Sequence, residues 1–207
     1  AEAGWTTPGF HVSTIPSAPW FTTVPFGPLA GEYLAWLKYG GGHKLKDEIY
    51  ARHGVRGISC IMITPEASGW FRKEIKTLDD LKGLKMRFFG LGARVMQKLG
   101  VQTQLLPPGD IFAALERGLI DATELAFPSI DLKYGFHQVA KHYYFPGWHQ
   151  QSSVGELLVN LKKWGELSEE HRRMIEVACD ANLMWSFVTS EARQFGAMRE
   201  MVEKHGV

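Results

Sequence analysis

Two side chains in the middle of the chain have the type and the setting for ligand chemistry, Arg87 and Glu124. Arg87 stands late in "GLKMRFFG", an otherwise apolar stretch with strand character. Open α/β sheets bind ligands at the carboxyl ends of their strands, and a guanidinium there can clamp a carboxylate through two parallel hydrogen bonds. The alternative is a structural pair with a nearby acid such as Asp79 or Asp80. Glu124 closes "IDATE". Strand alternation sends Ile120, Ala122 and Glu124 to one face and Asp121, Thr123 and Leu125 to the other. A carboxylate that follows apolar positions is costly to bury without a partner, and it suits a hard cation or a polar ligand. Here the alternative is a surface ion pair with a lysine.

Other chemistries find less support. Gly90 and Gly92 supply only part of a dinucleotide-binding glycine fingerprint, whose next required position is Val95. No phosphate-loop lysine pattern and no G-x-S-x-G nucleophile elbow occurs. His137, His142 and His149 follow Glu124 in sequence, but their spacing matches no compact zinc pattern, and His137 and His142 are expected on a loop or helix surface. A metal-assisted α/β hydrolase or lyase using Glu124 and these histidines is the alternative function. Aromatic residues collect beside glycine and proline turns, among them Trp20, Trp70, Phe127 and Trp148. Most are expected in the core, and Phe127 and Trp148 are candidates to wall a small pocket.

The elements that must position these residues are clearest between 83 and 125. "LKMRFF", "VQTQLL" and "LIDATEL" read as strands, with "LGARVMQKLG" and "GDIFAALERG" as the helices between them. Strand–helix–strand–helix–strand at such short spacing means parallel βαβ units. Before them, residues 1–28 are loop-rich with five prolines, "LAGEYLAWLKY" and "KDEIYARH" are helical, and "VRGISCIMI" is a buried strand followed by the shorter "GWFRKEI". After them come the helical turn "SIDLKYGF", an aromatic strand broken at Pro146 and the strand "SVGELLVN". From Ser168 the chain is helical, with Met174, Val177, Ala178, Ala181 and Met184 in a 3.6-residue rhythm.

The 207 residues suffice for one large core or two small lobes. Basic and acidic residues number 23 and 22, giving a net charge of +1 with no basic run, which argues against a nucleic-acid partner. No apolar stretch has membrane-spanning length. The opening "AEAGWTTPGF" has no signal-peptide character. Cys60 and Cys179 are too few and too far apart for a disulfide framework and are expected as buried free thiols.

Taken in order, "PFG", "WLKYGGG", "GWFRKEI", "DDLKGLKMRFFGLG", "ALERGLIDATE" and "YFPGWHQ" resemble one family over nearly the whole chain. That family is the solute-binding proteins of tripartite ATP-independent periplasmic (TRAP) transporters, in the branch that includes 2-oxo-acid binders. The resemblance implies an α/β, periplasmic-binding-protein-like fold: two α/β lobes with a ligand cleft between them and a long C-terminal helix. Residues 1–80 would form a partial first lobe with a crossing strand, 81–160 the second lobe and a return strand, and 161–207 the long-helix region. It implies a periplasmic, non-enzymatic receptor that captures a 2-oxo or 2-hydroxy monocarboxylate and delivers it to the membrane permease subunits. A homodimer through the long helix is a further expected association.

By the same resemblance, Arg87 holds the ligand carboxylate, and a sodium or calcium ion bridges ligand and protein. Its ligands would be Glu124, the backbone carbonyl of Leu125 and the side chain before "GW", which is Glu66 here instead of the usual glutamine. Leu125 likewise replaces the usual tryptophan. A second carboxylate beside Glu124 would favour a divalent cation over sodium, or a ligand with a positive group or extra hydroxyls. The alternative places Glu66 in a loop facing water. The chain is expected to be a fragment lacking an export signal, a first strand–helix segment and the last helices.

Overall fold

The computed structural model describes residues 1–207. Its strands are β1 Ala3–Thr6, β2 Val55–Ile63, β3 Gly69–Phe71, β4 Lys85–Arg87, β5 Gln102–Gln104, β6 Ala122–Thr123, β7 His142–Tyr144 and β8 Ser153–Asn160. Its helices are α1 Ala30–Tyr39, α2 Gly42–Ala51, α3 Gly90–Lys98, α4 Pro108–Glu116, α5 Pro128–Tyr134, α6 Leu161–Glu166 and α7 Glu169–His205. The chain divides into two compact α/β units. One comprises Ala1–Thr23, Gly27–Thr64 and Ser152–Thr189; the other comprises Val24–Phe26, Pro65–Gln151 and Ser190–Val207. Their limits differ from the contiguous segments 1–80, 81–160 and 161–207, because strands far apart in sequence pair in one sheet.

In the first unit the sheet order is β1–β8–β2, all antiparallel. β1 lies within the stretch expected to be loop; pairing with β8 supplies the hydrogen bonds that so short a strand cannot make alone. The register of β2 on β8 shifts between Ser59 and Ile61, at Cys60. Cys60 and Cys179 are joined in a disulfide, which corrects the expectation of free thiols. Their sequence separation of 119 residues hid the pairing, since a packed fold brings distant thiols together where local spacing predicts nothing. Such bonds persist in oxidising compartments.

The same unit buries a charged pair. Lys46 Nζ donates to Glu156 Oε2 at 3.0 Å and to Ser59 Oγ at 3.1 Å, while Tyr50 OH donates to Glu156 Oε1 at 2.8 Å. Gly57 allows this packing: a Cβ there would stand 2.7 Å from both Glu156 Oε2 and the Tyr50 ring.

The second unit holds a five-stranded sheet in the order β5–β4–β6–β3–β7. β4 pairs in parallel with β5 and with β6, as the two βαβ units require, and β3 and β7 add antiparallel strands at one side. The parallel strands are shorter than their sequence patterns, β6 keeping only two residues of "LIDATEL". α4 packs Ile111, Ala114 and Leu115 with Trp70, Ile120, Phe136 and Met201, and α3 packs Met96 with Phe71, Met86, Phe88 and Val101. Burying each aliphatic side chain of this kind contributes about 1.5–3 kcal/mol. This core fixes the strand ends on which the candidate site is built.

Helix α7 contributes residues to both units. Its buried positions include Cys179, Leu183, Ala197 and Met201, whereas Met174, Val177 and Met184, whose rhythm marked the helix in sequence, are 56%, 49% and 60% exposed.

Candidate functional site

The site lies wholly within the second unit and grows from the ends of adjacent parallel strands. Arg87 is the last residue of β4, and Glu124 follows directly on β6, which pairs with β4 through Arg87 and Thr123. Arg87 Nη1 donates to Glu124 Oε1 at 2.6 Å and to the Glu124 carbonyl at 2.7 Å, and Nε donates to the Leu106 carbonyl at 3.3 Å. The Phe89 N–H donates to the same carboxylate oxygen, Oε1, at 2.5 Å. Both side chains are almost fully buried, at 2% and 1% exposure. Asp79 and Asp80 take no part: Asp79 pairs with Lys82, and Asp80 accepts from Thr77 and Lys76. Nor is Glu124 a surface partner of a lysine.

Glu66 enters from the segment between β2 and β3. Its N–H donates to the Gln150 carbonyl at 3.1 Å, and its own carbonyl accepts from the Gly147 N–H at 2.6 Å. Gly147 is required for that approach, because a Cβ there would stand 2.8 Å from the Glu66 carbonyl oxygen and 3.0 Å from His149 Cε1. The Glu66 side chain is buried at 4% exposure, which corrects the alternative of a loop acid facing water. Backbone pairing with 147–150 pulls the segment inward, and no local sequence signal reports that pairing.

The third wall is His149. Its Nε2 lies 3.6 Å from Glu124 Oε2 and 3.9 Å from Glu66 Oε2, charge contacts too long for hydrogen bonds. One donor atom from each of Glu66, Glu124 and His149 falls within 4.8 Å of the other two. Of the three histidines weighed from the sequence, only this one reaches Glu124. His137, expected on the surface, is buried and stacks on His205 with ring centroids 4.0 Å apart, and His142 is half-buried in β7. The grouping of Glu124 with several histidines therefore does not form.

Electrostatics separates the two carboxylates. Burial pushes the Glu66 carboxyl well above the usual range, and the neighbouring charges of Glu124 and Asp131 act in the same direction against Arg87. Burial also acts to raise Glu124, but the Arg87 guanidinium, His149 and the Phe89 N–H outweigh it and hold that carboxyl low. Below them, Asp131 accepts from Trp70 Nε1 at 3.1 Å, Tyr143 OH at 3.0 Å and the Ala126 N–H at 3.1 Å. It thereby pins the 124–127 turn, and burial first among the causes pushes its carboxyl up to about 7. Sequence reading passed over Asp131; only its place three residues after Pro128, in the first turn of a short helix, set it apart.

Acceptor capacity remains in this buried cluster. Glu124 Oε2 and Gln150 Oε1 accept no hydrogen bond, although both residues are at least nine-tenths buried. Glu124 Oε2, an orphaned buried oxygen facing the Glu66 carboxylate, is the kind of donor a cation site uses, so Glu66 and Glu124 fit a bound metal ion. Leu125 is half-buried, with its side chain against the Trp70 core. Phe127 is half-buried, and its carbonyl accepts the Ile130 and Asp131 N–H groups that open α5. Trp148 stacks on Phe26 at 5.4 Å and helps line an apolar groove of about 430 Å³ with Ile75, Leu78, Met96 and Leu99.

Comparison with known proteins follows the same lines. Residues 11–207 match the family described as bacterial extracellular solute-binding protein, family 7 (DctP). The chain is 42% identical over 183 residues to the monocarboxylate 2-oxoacid-binding periplasmic protein all3028 of Nostoc sp. PCC 7120, a match covering 88% of this chain and 50% of that protein. Among solved structures, a TRAP transporter solute-binding protein from Bordetella bronchiseptica RB50, a dimer with co-purified calcium and picolinate, superposes with a TM-score of 0.96 at 36% identity. That alignment covers 99% of this chain and 61% of the other. A TRAP periplasmic solute-binding protein from Pseudoalteromonas atlantica T6c with bound sodium and pyruvate gives 0.94 at 34% identity, covering 99% and 62%. The chain thus spans about half to three-fifths of the length of these relatives. With its α/β units and long C-terminal helix as expected, this chain belongs to the bacterial extracellular solute-binding proteins of family 7.

Proposed function

We propose that this chain carries the ligand site of an extracytoplasmic solute-binding component of a TRAP transporter. It captures a small 2-oxo or 2-hydroxy monocarboxylate together with a cation and hands it, unaltered, to the membrane permease subunits. One observation carries the reading: a buried Arg87–Glu124 pair whose second carboxylate oxygen, Oε2, stays open beside Glu66. A guanidinium supplies charge-assisted hydrogen bonds to a ligand carboxylate. The open oxygen of Glu124, with the Glu66 carboxylate and the Leu125 carbonyl, holds sodium or calcium, and the ion supplies positive charge shared between protein and ligand. Phe127 and Trp148 set the size of the group the ligand may carry. The related proteins with pyruvate or picolinate beside sodium or calcium support the same assignment. They also favour a binding protein over the hydrolase or lyase reading.

A thermal-shift screen of the full-length protein tests this. Pyruvate, larger 2-oxo acids and 2-hydroxy acids are added with sodium, calcium or chelator. Ligand at about a hundredfold over its dissociation constant stabilises by about 2.7 kcal/mol, a readily measured rise in Tm. No rise with any acid in any cation would remove the carboxylate clamp.

Association through α7 is the second part of the proposal. Met174, Val177, Met184, Val188, Phe195 and Val202 are all exposed and fall at heptad positions along one helix face. A stripe of this period fits another helix, and a second copy of this chain offers one; the Bordetella relative is a dimer. Sedimentation of a Met184→Glu, Phe195→Glu double variant should show a monomer where the parent protein shows a dimer.

A further inference from the structure

Phe26 is the one residue other than glycine whose backbone lies in the left-handed region, at a φ of 56°. That conformation crowds the Cβ of an L residue, so a side chain stays there only where its surroundings hold it. Burial of its own ring does not hold it, since Phe26 is 75% exposed. Trp148 does. The Phe26 N–H donates to the Trp148 carbonyl at 2.9 Å, and the two rings stack with centroids 5.4 Å apart. The same carbonyl accepts from Gln151 Nε2 at 2.8 Å. On its other contacts the Trp148 ring meets Phe88 at 6.0 Å and His149, edge-on, at 5.7 Å.

The chain is anchored on both sides of Phe26. Before it, the Val154 N–H donates to the Thr22 carbonyl at 3.1 Å, and Thr22 Oγ1 donates to the Val154 carbonyl at 3.2 Å. After it, Ser152 Oγ donates to the Pro28 carbonyl at 3.0 Å. Between these anchors Pro25 fixes its own φ and Pro28 restricts Gly27. Val24–Phe26 thus form a short, stiff strap that belongs to the second unit, while its anchors belong to the first. The stretch it clasps begins at Trp148 and includes His149 and Gln150, whose carbonyl accepts the Glu66 N–H.

We infer that Phe26 is a positioning residue for the ligand site: it holds the Trp148 ring in place and thereby sets how large an acid the site accepts. This rests on the acid-binding reading above and adds a determinant of specificity to it. Without the Phe26 ring, Trp148 loses its stacking partner and swings, so a small acid loses a wall and a bulkier one gains room.

The test compares Phe26→Gly with the parent in the full-length protein, titrated with pyruvate and with 4-methyl-2-oxopentanoate in sodium or calcium. Glycine adopts the left-handed conformation without strain and keeps the backbone bond, so this variant removes the ring alone. The ratio of pyruvate affinity to that of the bulkier acid should fall by about tenfold, and Phe26→Tyr should restore it. Tyr39→Ala, which removes an exposed ring from the first unit, should leave the ratio at the parent value. A role in stability alone would lower Tm and leave the ratio unchanged, and that result overturns the inference. A second readout needs no acid. The His149 ring resonances of histidine-labelled protein, assigned by their loss in His149→Gln, should shift in Phe26→Gly and return in Phe26→Tyr. If neither acid binds the parent, the acid-binding reading fails, and these resonances decide on Phe26: a shift upholds its hold on Trp148, and no shift removes it.

Discussion

Each unit buries one lysine– or arginine–carboxylate pair, and the two pairs are finished differently. In the first, Lys46–Glu156 is closed: Lys46 reaches Ser59, and Tyr50 donates to the second carboxylate oxygen, so both oxygens of the acid are satisfied inside the protein. In the second, Arg87–Glu124 is left open: Arg87 and the Phe89 N–H share Oε1, and Oε2 has no donor while a further carboxylate lies beside it. A buried oxygen without a donor costs about 1–3 kcal/mol, so a fold retains one where something else completes it. Burial and charge alone do not distinguish a strut from a site. The unfilled valence does.

Breaking the closed pair should have the largest effect. Lys46→Ala leaves Glu156 buried without its cation and should lower stability by about 3–5 kcal/mol in denaturant titration, with cation uptake by the folded protein retained. A smaller loss would show that Tyr50 and Ser59 suffice. Arg87→Ala strikes the open pair, and affinity for the 2-oxo acid should fall by about a hundredfold, or about 2.7 kcal/mol, the loss of a buried charge's partner. Affinity within a few-fold of the parent would assign Arg87 to structure alone.

Glu66→Gln sharpens the contrast, because it should weaken the site and strengthen the fold. The folded protein holds the Glu66 proton above its ordinary value of 4.5, chiefly through burial, so the parent loses stability as pH rises from that value to the raised one. The variant should therefore melt above the parent at about pH 8, with the difference closing towards about pH 4. Its cation affinity should drop about tenfold through the lost charge. Equal melting at both pH values would mean that Glu66 is not strained by burial.

The smallest effect belongs to Asp131, which is fully bonded yet has its carboxyl pushed up to about 7 from 3.8, first by burial. Its contribution to stability declines as pH rises from about 4 to about 7 and is level above that. Asp131→Asn should flatten this part of the melting profile, and it should cost about 1–2 kcal/mol at about pH 4 through weakened bonds to Trp70, Tyr143 and Ala126. An unchanged slope would place the titration elsewhere.

Much of this was legible in the chain itself. The alternation of strand and helix from 83 to 125 reflects short-range periodicity, so the parallel β5–β4–β6 arrangement and the placing of Arg87 and Glu124 at neighbouring strand ends could be read directly. The family motifs located Glu66. What could not be read depends on segments that meet only on folding. His149 stands beyond β7, and it comes to Glu66 because 147–150 pairs with the backbone after β2. Cys60 meets Cys179, and Lys46 meets Glu156, across long stretches of chain. On α7 the apolar rhythm easiest to see in sequence is the exposed one, while the helix buries a different row that includes Cys179, Leu183 and Met201. The sequence determined which residues repeat at helix and strand periods and where charged groups interrupt them, because those patterns are local. Only the tertiary structure decided which apolar row is covered, which thiols join and which buried oxygen is left open, because burial and hydrogen-bond completion depend on neighbours that the chain order does not supply.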